Sequence, residues 1–357
     1  MKNKYLIWLD FLTFLILISC ETRLKFELPK IDPVPAILAS NDPDCDFMLR
    51  VTIAKQFKDS INKVNANCSV SIFEDGNFFT ELIIDTSLNS TQNIRDKAQG
   101  YPERIFIKDP NVKFSEGKEY KITANIQSYH LLSATTSIPQ AVKIKSVTWK
   151  EYDGPMPLWY WQFIVEALAY YPEFNAVPPL VEWSIAFNDP PLIKNYYRIG
   201  VGFRGILHKV DDKYYYADGK MQYALTNSND PIFMYVINRS SETNPDPDNK
   251  YYTFLTKEII FNDYNFDGTE HSVRILTPRP SNIIQNADTI SIFKYIINLY
   301  SLSEDYYKYW LDRYNVEKLS KDPFAEPLRI HSNISNGAGI FAFSSLDSDT
   351  VQMDINY

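Results

Sequence analysis

The feature that restricts this chain most is alternation. Phe47, Leu49, Val51 and Ile53 point one way while Arg50 and Thr52 point the other, the period-two signature of a strand with one wet face. The same pattern returns at Val70 and Ile72, at Ile105 and Ile107, and at Tyr120, Ile122, Ala124 and Ile126 against Lys121, Thr123 and Gln127. Turn residues separate these runs, as in Glu74-Asp75-Gly76-Asn77 and Ser115-Glu116-Gly117-Lys118. About six or seven short strands in roughly a hundred residues is the count of an immunoglobulin-like sandwich. We therefore expect such a domain over residues 43–139, closed by Pro139.

Beyond Pro139 the alternating runs lengthen. Val181, Trp183, Ile185 and Phe187 share a face, Asn188-Asp189-Pro190-Pro191 turns the chain, and Tyr197, Ile199, Val201 and Phe203 continue the apolar face. This pair reads as a hairpin with Arg198 and Arg204 facing away. Further strands are expected at 142–149, 158–169, 251–261, 271–276, 289–300, 328–334, 340–344 and 351–355. That is too many for one open sheet, so residues 140–357 are expected to form an antiparallel β-barrel or a two-sheet sandwich. One helix interrupts it near 303–319: Ser301 and Glu304 read as a capping box, and Tyr307, Trp310, Leu311 and Tyr314 fall on one face. The fold class is all-β, with one helix.

Composition supports this and excludes some partners. Of 357 residues, 15% are aromatic, with 25 Tyr against 11 Gly, and aromatic side chains fit a pleated, half-buried surface. A net charge of −8 argues against nucleic acid or an anionic membrane surface as the main partner, since both demand a cationic patch.

The N-terminus reads as an address and an anchor. Lys2 and Lys4 precede a mostly apolar stretch, Tyr5 to Ile18, that ends in Leu17-Ile18-Ser19-Cys20. This is the arrangement of a lipoprotein signal over residues 1–19, with Cys20 lipidated as the first residue of the mature chain. The alternative, an uncleaved membrane helix, meets an apolar run shorter than the roughly 20 residues a span requires, split by Asp10. Residues 20–42 carry Pro29, Pro33 and Pro35 among charges without a period, and read as a tether. With Cys20 assigned to lipid, Cys45 and Cys68 remain as a pair in an oxidising compartment. A disulfide is one expectation and two reduced buried thiols the other.

Chemistry-bearing motifs are few. Asp263-Tyr264-Asn265-Phe266-Asp267-Gly268 spells the first half of a calcium loop, with Asp263, Asn265 and Asp267 as the oxygen ligands. The twelfth position, where a bidentate Glu belongs, is Arg274, and the motif sits between strands. A hairpin turn stabilised by its Asx side chains is therefore the better account, with calcium the lesser alternative. Trp159-Tyr160-Trp161 suggests a carbohydrate platform, but a strand would place Trp159, Trp161, Phe163 and Val165 together on the apolar side. Tyr214, Tyr215 and Tyr216, flanked by loop residues, are the better ligand-binding candidates, with an edge strand as the plainer reading. Neither a nucleophile elbow nor a zinc-helix motif occurs, and Gly337-Ala338-Gly339 lacks the third Gly of a phosphate cradle. No catalytic residues and no cofactor are assigned.

Several stretches together resemble the Bacteroidota outer-membrane lipoproteins of the DUF4249 family, a domain of unknown function. They are Cys20, Val70–Gly76, Gly117-Lys118-Glu119-Tyr120, Ala134–Pro139, Phe187-Asn188-Asp189-Pro190 with Asn195-Tyr196-Tyr197, and Phe261-Asn262-Asp263 with Phe266-Asp267-Gly268. Ser303–Tyr307, Asp322–Pro327, Ser332-Asn333-Ile334 and Asn336–Phe341 continue the series. The resemblance implies a lipid-anchored protein of the outer membrane, of a family often found beside TonB-dependent receptors, and implies no activity. The expected role is an accessory binding or assembly subunit of such a receptor. A carbohydrate-active or other hydrolytic surface enzyme and a structural or adhesive lipoprotein are the alternatives.

Overall fold

The computed structural model describes residues 32–41, 47–54, 68–82, 104–108, 112–158, 160–161, 164–165, 179–204, 206–210, 213–217, 222–223, 235–238, 257–278, 291–319, 326 and 328–355. The signal sequence, Cys20 and Cys45 lie outside them. In chain order the strands are β1 (Val34–Asn41), β2 (Met48–Ala54), β3 (Cys68–Glu74), β4 (Asn77–Leu82), β5 (Arg104–Lys108), β6 (Glu119–Ile126), β7 (Leu132–Ser137), β8 (Ile144–Glu151) and β9 (Leu180–Asn188). They continue as β10 (Tyr196–Arg204), β11 (Ile206–Val210), β12 (Lys213–Ala217), β13 (Gln222–Tyr223), β14 (Tyr235–Asn238), β15 (Lys257–Asn262), β16 (Glu270–Pro278) and β17 (Ser291–Leu302). Helix α1 (Glu304–Leu319) and the long strand β18 (Ala338–Ile355) complete the chain.

The strands form a nine-stranded sheet in the order β14-β15-β10-β17-β18-β1-β2-β5, with β13 paired to β10. A four-stranded sheet β4-β3-β6-β7, a three-stranded sheet β16-β9-β8 and the ribbon β11-β12 accompany it. The protein is all-β, and among the described residues no sheet closes into a barrel. Alternation does what the sequence led us to expect. In β6, Tyr120, Ile122, Ala124 and Ile126 are buried; in β9, Val181, Trp183, Ile185 and Phe187 are.

Two sandwich cores result. In one, Val70, Ile72, Tyr120 and Ile122 of the four-stranded sheet pack with Leu49 and Val51 of β2 and with Phe341 and Phe343 of β18. In the other, the inner face of β9 meets Tyr197, Ile199 and Val201 of β10 and Tyr295 and Ile297 of β17. Phe187 lies 5.2 Å from the Tyr197 ring and Trp183 4.9 Å from Tyr295.

Several expectations are corrected. Residues 34–41, read as part of the tether, form β1, sandwiched antiparallel to β2 and parallel to β18. The N-terminal strands β1, β2 and β5 thus continue the same sheet as the C-terminal ones, and Phe341 and Phe343 join the N-terminal core, so no sheet boundary falls at Pro139. β9 and β10 are not a hairpin: the turn between them passes the chain from the three-stranded sheet to the nine-stranded one, so their apolar faces meet across the sandwich. Leu158, Tyr160, Trp161, Ile164 and Val165 are helical instead of extended, started at Pro157, whose carbonyl accepts the Tyr160 and Trp161 N–H groups at 3.0 and 3.2 Å. Residues 328–334 form no strand because they run along α1, where the Asp312 carboxylate accepts the His331 N–H at 2.8 Å.

Helix α1 covers the outer face of the nine-stranded sheet. Tyr306, Tyr307 and Trp310 are buried against Tyr196, Ile260, Tyr300 and Ile340. This also buries Arg198, expected to face solvent: its guanidinium lies 3.8 Å over the Tyr300 ring, a cation–π contact under the helix. Ser303, not Ser301, precedes the helix, and its carbonyl accepts the Tyr307 N–H at 3.1 Å. Ser301 Oγ instead accepts the Val142 N–H at 3.2 Å. Among the described residues no helix is long and apolar enough to cross a membrane.

Candidate functional site

Sequence separates the turn after β9 from the turn after β15 by some seventy residues; the fold brings them together. Asp189, Asp263 and Asp267 place carboxylate oxygens within 4.8 Å of one another. Asp189 and Asp263 are buried and Asp267 is exposed. The first turn begins where β9 ends at Asn188, and the second begins where β15 ends at Asn262, opposite Tyr196 at the start of β10.

Hydrogen bonds define the cluster. Asp189 accepts the Gly268 N–H at 2.8 Å, the Asn195 side-chain amide at 3.3 Å and the buried Tyr197 hydroxyl. Asp263 accepts the Asn195 N–H at 2.6 Å and Asp267 the Leu192 N–H at 3.1 Å. Inside the second turn the Asp263 carbonyl accepts the Phe266 N–H at 2.8 Å. Asn262, one residue before the motif, accepts the Tyr264 N–H at 3.1 Å. Each carboxylate therefore ties one turn to the other or to its own strand. Burial pushes the Asp263 carboxyl above the ordinary carboxylate range; the Asn195 amide pulls it back, and the charges of Asp189 and Asp267 add to the rise.

A hard cation such as calcium is the ligand this donor set would suit, but it takes six to eight oxygens. Here the carboxylates are spent on N–H and O–H donors, and Asn265 is exposed. The arrangement fits a hydrogen-bonded staple better than a metal cage; the expected hairpin is corrected, because β15 pairs with β10 and β14 while β16 pairs with β9, so this turn carries the chain from the nine-stranded sheet to the three-stranded one. Sequence reasoning found Asp263 and Asp267 and missed Asp189, whose only local signal was its place in an Asp-Pro turn.

What the staple holds up is apolar. Leu192, Ile193 and Tyr264 are 94%, 60% and 85% exposed. A second exposed apolar surface lies on the helical segment after Pro157: Leu158, Trp161 and Val165, at helical spacing, are 74%, 50% and 62% exposed, while Tyr160 and Ile164 are buried against Leu180.

The remaining candidates fall elsewhere. Tyr214, Tyr215 and Tyr216 lie on β12, paired with Lys209, His208 and Leu207 of β11; their side chains are outside the described residues, as is Trp159. Cys68 is a free, buried thiol, and burial pushes its pKa up to about 11.

Comparison with known proteins adds a family and little else. No curated protein matches the chain. A solved structure from Corynebacterium diphtheriae, described as a proposed membrane anchored protein, aligns at 11% identity over 76% of this chain and 55% of that one. Its TM-score of 0.18 is too low for a shared architecture, and the match spans about half of that protein. The family of domains of unknown function DUF4249 matches residues 45–350, which contain both sandwich cores' central strands and the stapled turns, and the chain belongs to that family.

Proposed function

We propose that this is a lipid-anchored outer-membrane protein that acts as an accessory binding or assembly subunit of a TonB-dependent receptor. Acyl chains on Cys20 supply the attachment, and the β-sandwiches supply rigid surfaces that hold contact residues in place. The lipobox-like Leu17-Ile18-Ser19-Cys20 and the family resemblance support the anchor and the location.

The observation that carries the binding reading is the helical face of Leu158, Trp161 and Val165. An apolar helix face normally turns to the core, yet here the core side is already filled by Tyr160 and Ile164. The second face, with a half-exposed Trp, has the character of an interface hot spot, where Trp is enriched. Met156, also exposed, extends it.

Affinity purification of the native protein from outer membranes, followed by mass spectrometry, tests the reading. A receptor is expected at stoichiometric yield, and a Leu158→Asp/Trp161→Asp variant that keeps its circular dichroism and Tm should lose it. Absence of any receptor from the native preparation, or its retention by the variant, overturns the reading.

A further inference from the structure

Single apolar side chains scattered over a surface need no explanation, but those on the stapled turns are held there. Leu192, the most exposed large apolar side chain among the described residues, has φ +65°, a region that L side chains rarely adopt. Such strain persists only where the surroundings over-determine it. Contacts on both sides of Leu192 do so. The Asp267 carboxylate accepts the Leu192 N–H at 3.1 Å, and Asp263 accepts the Asn195 N–H at 2.6 Å. The Asn195 side-chain amide reaches back to the Ile193 carbonyl at 2.8 Å and the Pro190 carbonyl at 3.2 Å. Gly268 packs so closely on Pro191 that an added Cβ would sit 2.7 Å from the proline ring. Ile193 and Tyr264, on the same pair of turns, are exposed as well. The apolar point is thus fixed before anything meets it, and side chains fixed in advance lose little entropy on binding.

The charge around the point decides what can cover it. Residues 189–195 and 263–268 carry three aspartates against one lysine, Lys194. That lysine already acts on an acid: Lys308 and, more weakly, Lys194 hold the Glu304 carboxyl at the head of α1 below the ordinary range. Asp189 and Asp263 are buried, but Asp267 is exposed and bonded to the backbone nitrogen of Leu192 itself. A surface that closes over Leu192 therefore closes over this carboxylate too. Taking water from a carboxylate is costly unless a cation takes its place. An anionic lipid layer would repel the tip, and so would the same tip on a second copy of the chain.

We propose that this tip is a docking knob for a protein partner whose receiving pocket has an apolar floor and an arginine or lysine at its rim. Leu192 and Ile193 enter the floor, Tyr264 packs beside them, and the rim cation meets Asp267. The inference goes beyond the receptor reading above: it concerns a second surface, distinct in sequence and side chains from the Leu158–Val165 face, and it specifies the chemistry of what binds there.

Site-specific photo-crosslinking tests this on the full chain in its native membranes. A benzophenone amino acid is placed at Leu192, and in a control chain at Phe78, which is exposed on β4. After illumination the crosslinked peptides are sequenced by mass spectrometry. The Leu192 probe should join a protein segment that carries Lys or Arg beside apolar residues, at several-fold the yield of the Phe78 probe, and high salt should cut that yield several-fold. Asp267→Asn keeps an acceptor for the Leu192 N–H and removes the charge; its yield should fall and lose its salt dependence. Should Asp267→Asn alter the circular dichroism spectrum, the salt series on the parent chain decides. Crosslinking to lipid, to a second copy of the chain or to a segment without basic residues overturns the proposal, as does a yield indifferent to salt or no higher than that at Phe78. The sequenced partner also separates the two readings: a basic segment from a protein other than a TonB-dependent receptor supports the knob and counts against the receptor, whereas a receptor that co-purifies without crosslinking to Leu192 removes the knob alone.

Discussion

Asp263 shows at the scale of one residue how a motif can be read as a turn and still be misassigned in its strands and partners, since β15 and β16 lie in different sheets and form no hairpin. Its spacing to Asp267 was visible, but the third carboxylate of the cluster arrives from Asp189, seventy-odd positions earlier. Burial raises the Asp263 pKa, with help from those two carboxylates. The folded state therefore holds the Asp263 proton to a higher pH than the unfolded chain does. Stability from this site is greatest below the ordinary carboxylate pKa and is lost as pH rises through the raised folded value. Asp263→Asn keeps an acceptor for the Asn195 N–H and removes the charge. Its Tm should gain on that of the parent as pH climbs from the acid side of the carboxylate range to neutrality. A Tm difference flat across that range would contradict the account. Arg198 teaches the same lesson: alternation placed it on the outer face correctly, but only the docking of α1 made that face an interior one.

At the scale of elements, the long alternating runs were legible because a strand's period of two needs no distant partner to declare itself. β6, β9, β10, β16 and β17 stand close to where the pattern put them. The segment 158–165 did not, because a short apolar run with few polar residues carries no period of its own, and Pro157 decided for helix. Ile340–Ser344 and Val351–Ile355 were read as two strands; they are one strand, β18, whose polar middle pairs with β17. Gly339 within it entered the sequence reading as part of a failed phosphate motif and of the family's Asn336–Phe341 stretch, with no backbone role assigned. Its φ is +106°, and an added Cβ would meet the Ile37 carbonyl oxygen at 1.8 Å. Gly339→Ala should therefore break the β1–β18 contact at a cost of about 3 kcal/mol or more, read as a drop in the urea midpoint. Ala338→Gly, which adds no atom, should cost far less.

For the whole molecule, the parallel pairing of β1 with β18 is the decisive feature. It sets the first described strand beside the last, so the segments expected as separate domains share a sheet and a core. We expect heat or urea to unfold the chain in a single transition, with tryptophan fluorescence and far-ultraviolet circular dichroism superimposed. Two resolved transitions, one for each side of Pro139, would show that the shared sheet does not couple them. Along its length the amino-acid sequence by itself determined that this chain builds strands, which of their faces are apolar, where α1 lies, and the family to which it belongs, because each of these is written in local spacing or in ordered motifs. Tertiary structure alone decided which strands are neighbours, that Asp189 joins Asp263 and Asp267, and that Arg198 is covered. Pairing and burial are relations between residues far apart in the chain, and strand periodicity is indifferent to which partner completes them.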